Sequence, residues 1–174
     1  MSEKTVVVVD QFTKRVGTVQ RRGWYRIGSN PTIETSNSWY KVTVLGAVTD
    51  DGDSFYCWTE ENLTSKQGIW LLGALQEKFG EELVVFLDRA GYFYNRDRWE
   101  HVSDEHGNEG NEEHLDVWYF PSKLPELNPV EGRWDRLNEW FKHRLIPGLS
   151  ALKQQIQRGL STVSEPNIWN NLCP

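Results

Sequence analysis

The chain has 174 residues, 38% of them hydrophobic and nine of them Trp, enough for one domain with its own core and too aromatic for a disordered polypeptide. Its net charge of −6 sets it apart from strongly basic nucleic-acid binders, and its longest apolar runs, Val6–Val9 and Leu83–Leu87, are too short to cross a bilayer, so no membrane partner is expected. Cys57 and Cys173 imply no disulfide framework, no signal peptide is read ahead of the first strand, and a cytoplasmic location is the expectation.

Thr5–Val9 is a β-branched run without polar alternation, which predicts a strand buried on both faces and ending at Asp10. Val16–Ile27 predicts a second, more polar strand carrying Arg21 and Arg22, and Trp39–Val48 a third. The turn signal Asp50-Asp51-Gly52-Asp53 then leads into Ser54–Trp58, which can continue the meander. Thr64–Phe79 predicts a helix. Thr64 and Gln67 fit a capping box, Ile69, Leu72, Leu75 and Phe79 form one apolar face, and Gly80 can end it.

Leu83–Leu87 is another buried strand, and it too ends in an acid, Asp88. Ala90–Trp99 reads as helical, and the polar stretch Glu100–His114 as an acidic surface loop. Leu115–Phe120 is a strand, followed by an irregular approach with three prolines. A helix then starts at Asn128, with Pro129 in the first turn and Val130, Trp134, Leu137 and Phe141 facing inward. Pro147-Gly148 breaks it, and Leu152, Ile156, Leu160 and Val163 predict a last helix capped by Ser150. A strand meander followed by alternating strands and helices indicates a mixed sheet with helices packed on it, in a single domain over residues 1–174.

Two buried strands, VVVVD and LVVFLD, each place a carboxylate at the C-terminal end, the edge where ligand sites gather in α/β sheets. If these strands are parallel neighbours, Asp10 and Asp88 project side by side, and close carboxylates repel unless they share a proton or a cation. A hard divalent ion such as Mg2+ or Mn2+ takes such oxygen ligands and keeps waters for chemistry. Glu131, in the first turn of its helix, is the third candidate. Taken singly, each acid has a plainer reading: Glu131 as a capping-box residue, Asp10 and Asp88 as turn-initiating residues.

The segments LDRAGYF and FPSKLPELNPVEGRW resemble the catalytic core of the IS630/Tc1/mariner transposase superfamily. Pro121, Pro125, Glu126, Leu127, Asn128, Pro129, Glu131 and Trp134 match the family's entry to its third acidic helix; Leu87, Asp88 and Ala90 match its second acidic strand; Val9-Asp10 matches the first by position. The resemblance implies an RNase H-like fold, a five-stranded mixed sheet flanked by helices, with Asp10, Asp88 and Glu131 as a DDE triad. It also implies two Mg2+ or Mn2+ ions and cut-and-paste transposition, in which one site hydrolyses a DNA strand and later joins it to target DNA. DNA at the element ends and target is the implied partner, and a homodimer is a further expectation. Here Arg89 replaces the family's Asn, Gln11 replaces a common Glu, and the 42 residues between Asp88 and Glu131 exceed the family spacing, a surplus that the loop Glu100–His114 can absorb. Family members carry an N-terminal helix-turn-helix region. None is read before Asp10, so a separate DNA-binding chain or a truncated copy is expected.

Charge is unevenly spread. Gln11–Ile33 holds five basic residues and no acid, whereas Glu100–Asp116 holds seven acids and no Lys or Arg, so the basic segment is where phosphate contacts are sought. Arg21, Arg22, Arg26, Arg133 and Arg136 are the DNA-binding candidates, with solvated or ion-paired surface roles as the alternative. Trp24, Trp39 and Trp58 suit base stacking, but core packing is the stronger expectation. His101, His106 and His114 follow no compact zinc motif, and neither cysteine is near them in sequence. Two other functions keep the same acids: an RNase H- or resolvase-like nuclease that never joins strands, and an inactive remnant that only binds DNA or a partner.

Overall fold

A computed structural model describes residues 4–17, 24–29, 32, 38–80, 82–94, 115–122, 127–142 and 144–163. The β-branched run at the start forms the centre of the sheet, as its lack of polar alternation requires. This strand, β1 (Thr5–Arg15), is flanked by β2 (Lys41–Thr49) and β4 (Leu83–Leu87), with β3 (Ser54–Thr59) and β5 (Leu115–Tyr119) at the edges, in the order β3-β2-β1-β4-β5. The first three strands pair antiparallel, whereas β1 with β4 and β4 with β5 pair parallel. The mixed five-stranded sheet flanked by helices is therefore as expected.

The sheet separates two apolar layers, and β1 serves both because successive side chains alternate faces. Val7 and Val9 join Leu45, Ala47, Leu83, Val85 and Leu87 beneath Leu71, Leu72 and Leu75 of α1 (Ser65–Phe79) and Phe93 of α2 (Gly91–Tyr94). Val8 and Phe12 join Val42, Val44 and Val48 on the opposite face, under α3 (Glu131–Trp140) and α4 (Leu149–Thr162). Each fully buried Leu contributes roughly 1.5–3 kcal/mol relative to exposure, so the three from α1 hold that helix well beyond its intrinsic propensity. Where α3 and α4 meet, a Cβ on Gly159 would run into Leu137 Cδ1 and lie 3.2 Å from the Trp140 ring. The absent side chain is what permits that close approach.

Several expectations change. Asp10 does not end the first strand, which continues five residues further, to Arg15, because β1 changes partners along its length. It pairs with β4 only from Thr5 to Val8, but with β2 from Val7 to Arg15. Consequently the described part of Val16–Ile27 contains no separate strand. In α1 the buried face centres on Leu71, Leu72 and Leu75, with Ile69 and Phe79 half-buried; Thr64 and Gln67 do meet in the capping box, and Gly80 ends the helix. Of the helix predicted over 90–99, residues 91–94 are helical and 95–99 lie outside the described residues.

α3 begins at Glu131 rather than Asn128. Asn128 instead closes a turn ahead of it, its side-chain oxygen accepting from the Val130 N–H at 3.0 Å and its carbonyl from the Glu131 N–H at 3.1 Å. α4 starts after an extended Gly148, not with Ser150 as its cap. The loop 100–114, with His101, His106 and His114, lies outside the described residues. Among the described residues no helix is long and apolar enough to cross a membrane.

Candidate active site

The parallel register pairs Val8 with Phe86. Asp10 and Asp88 each lie two residues beyond that pair, the last between β1 and β4, and Asp10, still within β1, keeps the side-chain parity of Val8. Asp88 directly follows the end of β4. Both therefore stand at the C-terminal edge of the parallel strands. On the face of Val8 and Asp10, α3 packs Trp134 and Leu137 into the core, with Glu131 at its first helical position.

Their surroundings differ. Asp10 is 6% exposed, and burial pushes its carboxyl up to about 7, assisted by the charges of Glu131 and Asp88 and opposed by hydrogen bonds from the Gln11 backbone and the Trp134 indole. Asp88 is half-buried; desolvation raises it, while the Ala90 N–H, donating to Oδ1 at 3.1 Å, pulls it down. Glu131, also half-buried, is raised by desolvation and then by the charges of Asp135 and Asp88. All three carboxyls are held above their ordinary range, chiefly by burial, and Asp10 and Glu131 are raised further by the charge of Asp88 among others.

The donor set suits a hard divalent ion: three carboxylates, with no thiol or imidazole among them. As the side chains stand, no three His, Cys, Asp or Glu among the described residues are gathered tightly enough to hold an ion. Closing on one would need the acids to draw together. Asp10 is the fixed member: its Oδ2 accepts the Trp134 Nε1–H at 3.0 Å in the buried interior.

Three further residues shape this edge. Trp134 fixes Asp10; sequence reasoning had it only as a core and motif residue. Gly46 pairs with Asp10 across β1 and β2. A Cβ there would lie 2.7 Å from Trp134 Cη2 and 2.8 Å from the Tyr56 ring. Tyr92, on α2 four residues after Asp88, buries a hydroxyl without a hydrogen-bond partner among the described residues. Burial raises that phenol, and the charges of Asp88 and Asp10 raise it further. No local pattern marks Gly46, which owes its place to neighbours distant in sequence, and Tyr92 lies within LDRAGYF, where the motif gave it no role of its own.

The basic candidates separate. Arg133 is no surface group: it is 1% exposed, donates to the Leu160 carbonyl at 2.6 Å and stacks 4.8 Å from the Tyr56 ring centre. Arg26 and Arg136 are exposed, and Arg21 and Arg22 lie outside the described residues. Arg89 holds the end of β4 to that of β5, its Nε donating to the Phe120 carbonyl at 3.3 Å. The expectation of core packing for Trp24, Trp39 and Trp58 is overturned, since they are 104%, 89% and 43% exposed. Trp24 and Trp39 lie in irregular segments between β1 and β2, and Trp58 on an edge strand, where no layer of the described residues covers them.

Comparison with known proteins places this geometry. A family model described as DDE superfamily endonuclease matches residues 5–153. Among solved structures, the chain is similar to that of the "Mos1 transposase paired-end complex with left transposon end", with a TM-score of 0.68 and 14% identity over 96% of this chain and 51% of that one. It is likewise similar to the chain of the "Mos1 Strand Transfer Complex", with TM-score 0.67, 13% identity, and coverage of 96% and 50%. A chain of the simian T-cell lymphotropic virus intasome, solved with PP2A regulatory subunit B56 gamma, gives TM-score 0.53 and 11% identity over 97% of this chain and 54% of that one. These likenesses show the RNase H-like fold. The chain spans about half the length of the solved chains that it matches. No curated protein sequence matches it.

Proposed function

Because the chain belongs to the DDE superfamily endonucleases, we propose that Asp10, Asp88 and Glu131 are its catalytic triad and that it cuts and rejoins DNA as the catalytic domain of a cut-and-paste transposase. What supports this reading is that Asp10 and Asp88 each follow the last pair of neighbouring parallel strands by two residues, and that Asp10 feels the charges of both Asp88 and Glu131 at the start of α3. The same three carboxylates would hold Mg2+ or Mn2+, two ions by the logic of in-line phosphoryl transfer. When bound, such ions activate a water or a 3′-hydroxyl as nucleophile and stabilise the leaving oxygen.

The chain's own residues do the rest. Asp10, buried and hydrogen-bonded, supplies a fixed carboxylate. Asp88 and Glu131 approach it from β4 and α3. Arg26 and Arg136, exposed and basic, are the described candidates for phosphate contact, and Arg21 and Arg22 lie in the same basic segment as Arg26. Metal-bound carboxylates also lose part of their repulsion toward a DNA backbone, which reconciles a net charge of −6 with an anionic substrate. Element ends and target DNA are the proposed partners, together with a second copy or a separate DNA-binding chain.

The test is nicking of supercoiled DNA by the purified chain in Mg2+ or Mn2+, with EDTA as control, followed by joining of a labelled 3′-hydroxyl end to a second DNA. Nicking and joining are expected. Nicking without joining would leave a nuclease only, and neither activity, in the presence of any DNA-binding partner, would remove the enzymatic reading.

A further inference from the structure

The hydrogen bond from Trp134 to Asp10 joins residues 124 apart and lies wholly inside the protein. The indole that makes it is clasped on several sides. Phe12 stacks on it with ring centres 5.3 Å apart and planes 25° from parallel, and Tyr56 meets it edge-on at 6.2 Å. Over the ring's far edge passes the backbone of Gly46, the β2 residue directly opposite Asp10. Any side chain at Gly46 would occupy the space of Cη2 and Cζ2. The strand partner of the acid is thus bare where the indole needs room to reach that acid.

Trp134 also stands three residues after Glu131 on α3, so the ring that holds Asp10 belongs to the helix that carries the third acid. Rotating or sliding α3 would break the bond and displace Glu131 together.

We infer that Trp134 is a positioning residue for the metal centre: its N–H fixes the rotamer of Asp10 and sets the phase of the Glu131 helix against β1, with Gly46 as the space that admits it. This rests on the proposed reading of the three acids. It goes beyond that reading by giving the centre one preset ligand, to which Asp88 and Glu131 close. An indole that only fills the core would serve equally well without its N–H. Groups that orient metal ligands through hydrogen bonds typically matter about 10–100-fold in metal affinity or activity.

The test keeps the ring and removes the bond. Trp134 is replaced in the full chain by its benzothiophene analogue, which carries sulfur for N–H, and in parallel by 7-azatryptophan, which keeps the N–H. Mn2+ binding is measured by calorimetry, DNA nicking over a Mn2+ titration, and the urea midpoint on each protein. The sulfur analogue should bind Mn2+ about 10–100-fold more weakly and need correspondingly more Mn2+ to nick, while the aza analogue stays within about twofold of wild type. Gly46→Ala, which disturbs the same bond from the strand side, should show the same loss of Mn2+ affinity. Wild-type-like Mn2+ affinity in the folded sulfur analogue or in folded Gly46→Ala would reduce Trp134 to a packing residue. If wild type itself neither binds Mn2+ nor nicks DNA, the reading of the triad falls instead, and the two failures are distinguished by that control.

Discussion

Replacing Asp10 by Asn should make the folded chain more stable above pH 7 while abolishing its chemistry. The carboxyl is 6% exposed, and its pKa rises from 3.8 to about 7 on folding, mainly through burial. A folded-state pKa above the unfolded one means that the native state binds the proton more tightly. Below about pH 4 both states are protonated and folding carries no penalty. As the pH climbs from about 4 to 7, the unfolded chain releases its proton while the native one keeps it, and stability falls; above 7 the full penalty applies. At ~1.36 kcal/mol per pKa unit, a rise from 3.8 to about 7 sets a ceiling of about 4 kcal/mol. Relaxation and water penetration at the sheet edge bring the expected gain of Asp10→Asn to about 1–3 kcal/mol at pH 8, with near-parity at pH 4. Asn can still accept the Trp134 N–H, so the packing is kept. Urea unfolding of both proteins in EDTA at pH 4, 6 and 8 measures the difference. A pH-independent difference, or a wild type more stable than Asp10→Asn at pH 8, would refute the reasoning. Saturating Mn2+ should then restore wild type by about 2.7 kcal/mol at a hundredfold excess over Kd, and leave Asp10→Asn unmoved.

Asp88→Asn and Glu131→Gln should each lower metal-dependent nicking by at least about a hundredfold with the urea midpoint little changed, since both acids are half-buried; full activity in either would remove that residue from the triad. Arg133→Met should cost about 1–3 kcal/mol by leaving the buried Leu160 carbonyl without its donor, whereas Arg136→Gln should stay within about 0.5 kcal/mol of wild type. If Arg136 contacts a phosphate, its loss should also reduce the salt dependence of DNA binding by about one charge; an unchanged slope would free it from that role. Gly159→Ala should destabilise the α3–α4 contact by about 1–3 kcal/mol through overpacking against Leu137, read as a lower thermal midpoint, and a stabilised variant would contradict the packing described.

Which features could be read from the chain alone follows from how local their causes are. Leu83–Leu87 and Lys41–Thr49 announce themselves because strand burial writes β-branched and apolar runs directly into sequence. The inward spacing of Val130, Trp134, Leu137 and Phe141 does the same for a helix. The three candidate acids stand out for a related reason: each adjoins such a run, and LPELNPVEGRW is long enough to point to a family. Where the cause is distant, the reading failed. The extent of β1 depends on β2 pairing further along it than β4 does. The exposure of Trp24 and Trp39 depends on their lying outside the two apolar layers of the described residues, although Trp by itself favours the interior.

Composition and periodicity alone determined a mixed α/β sheet and its carboxylates, because hydrophobic patterning is imposed residue by residue along each element. Tertiary structure alone decided that Arg133 goes inside, that Gly46 must stay bare, and that Trp134 reaches Asp10 across 124 residues. Those outcomes are set by what stands across the sheet, and a local pattern carries no record of a partner more than a hundred residues away.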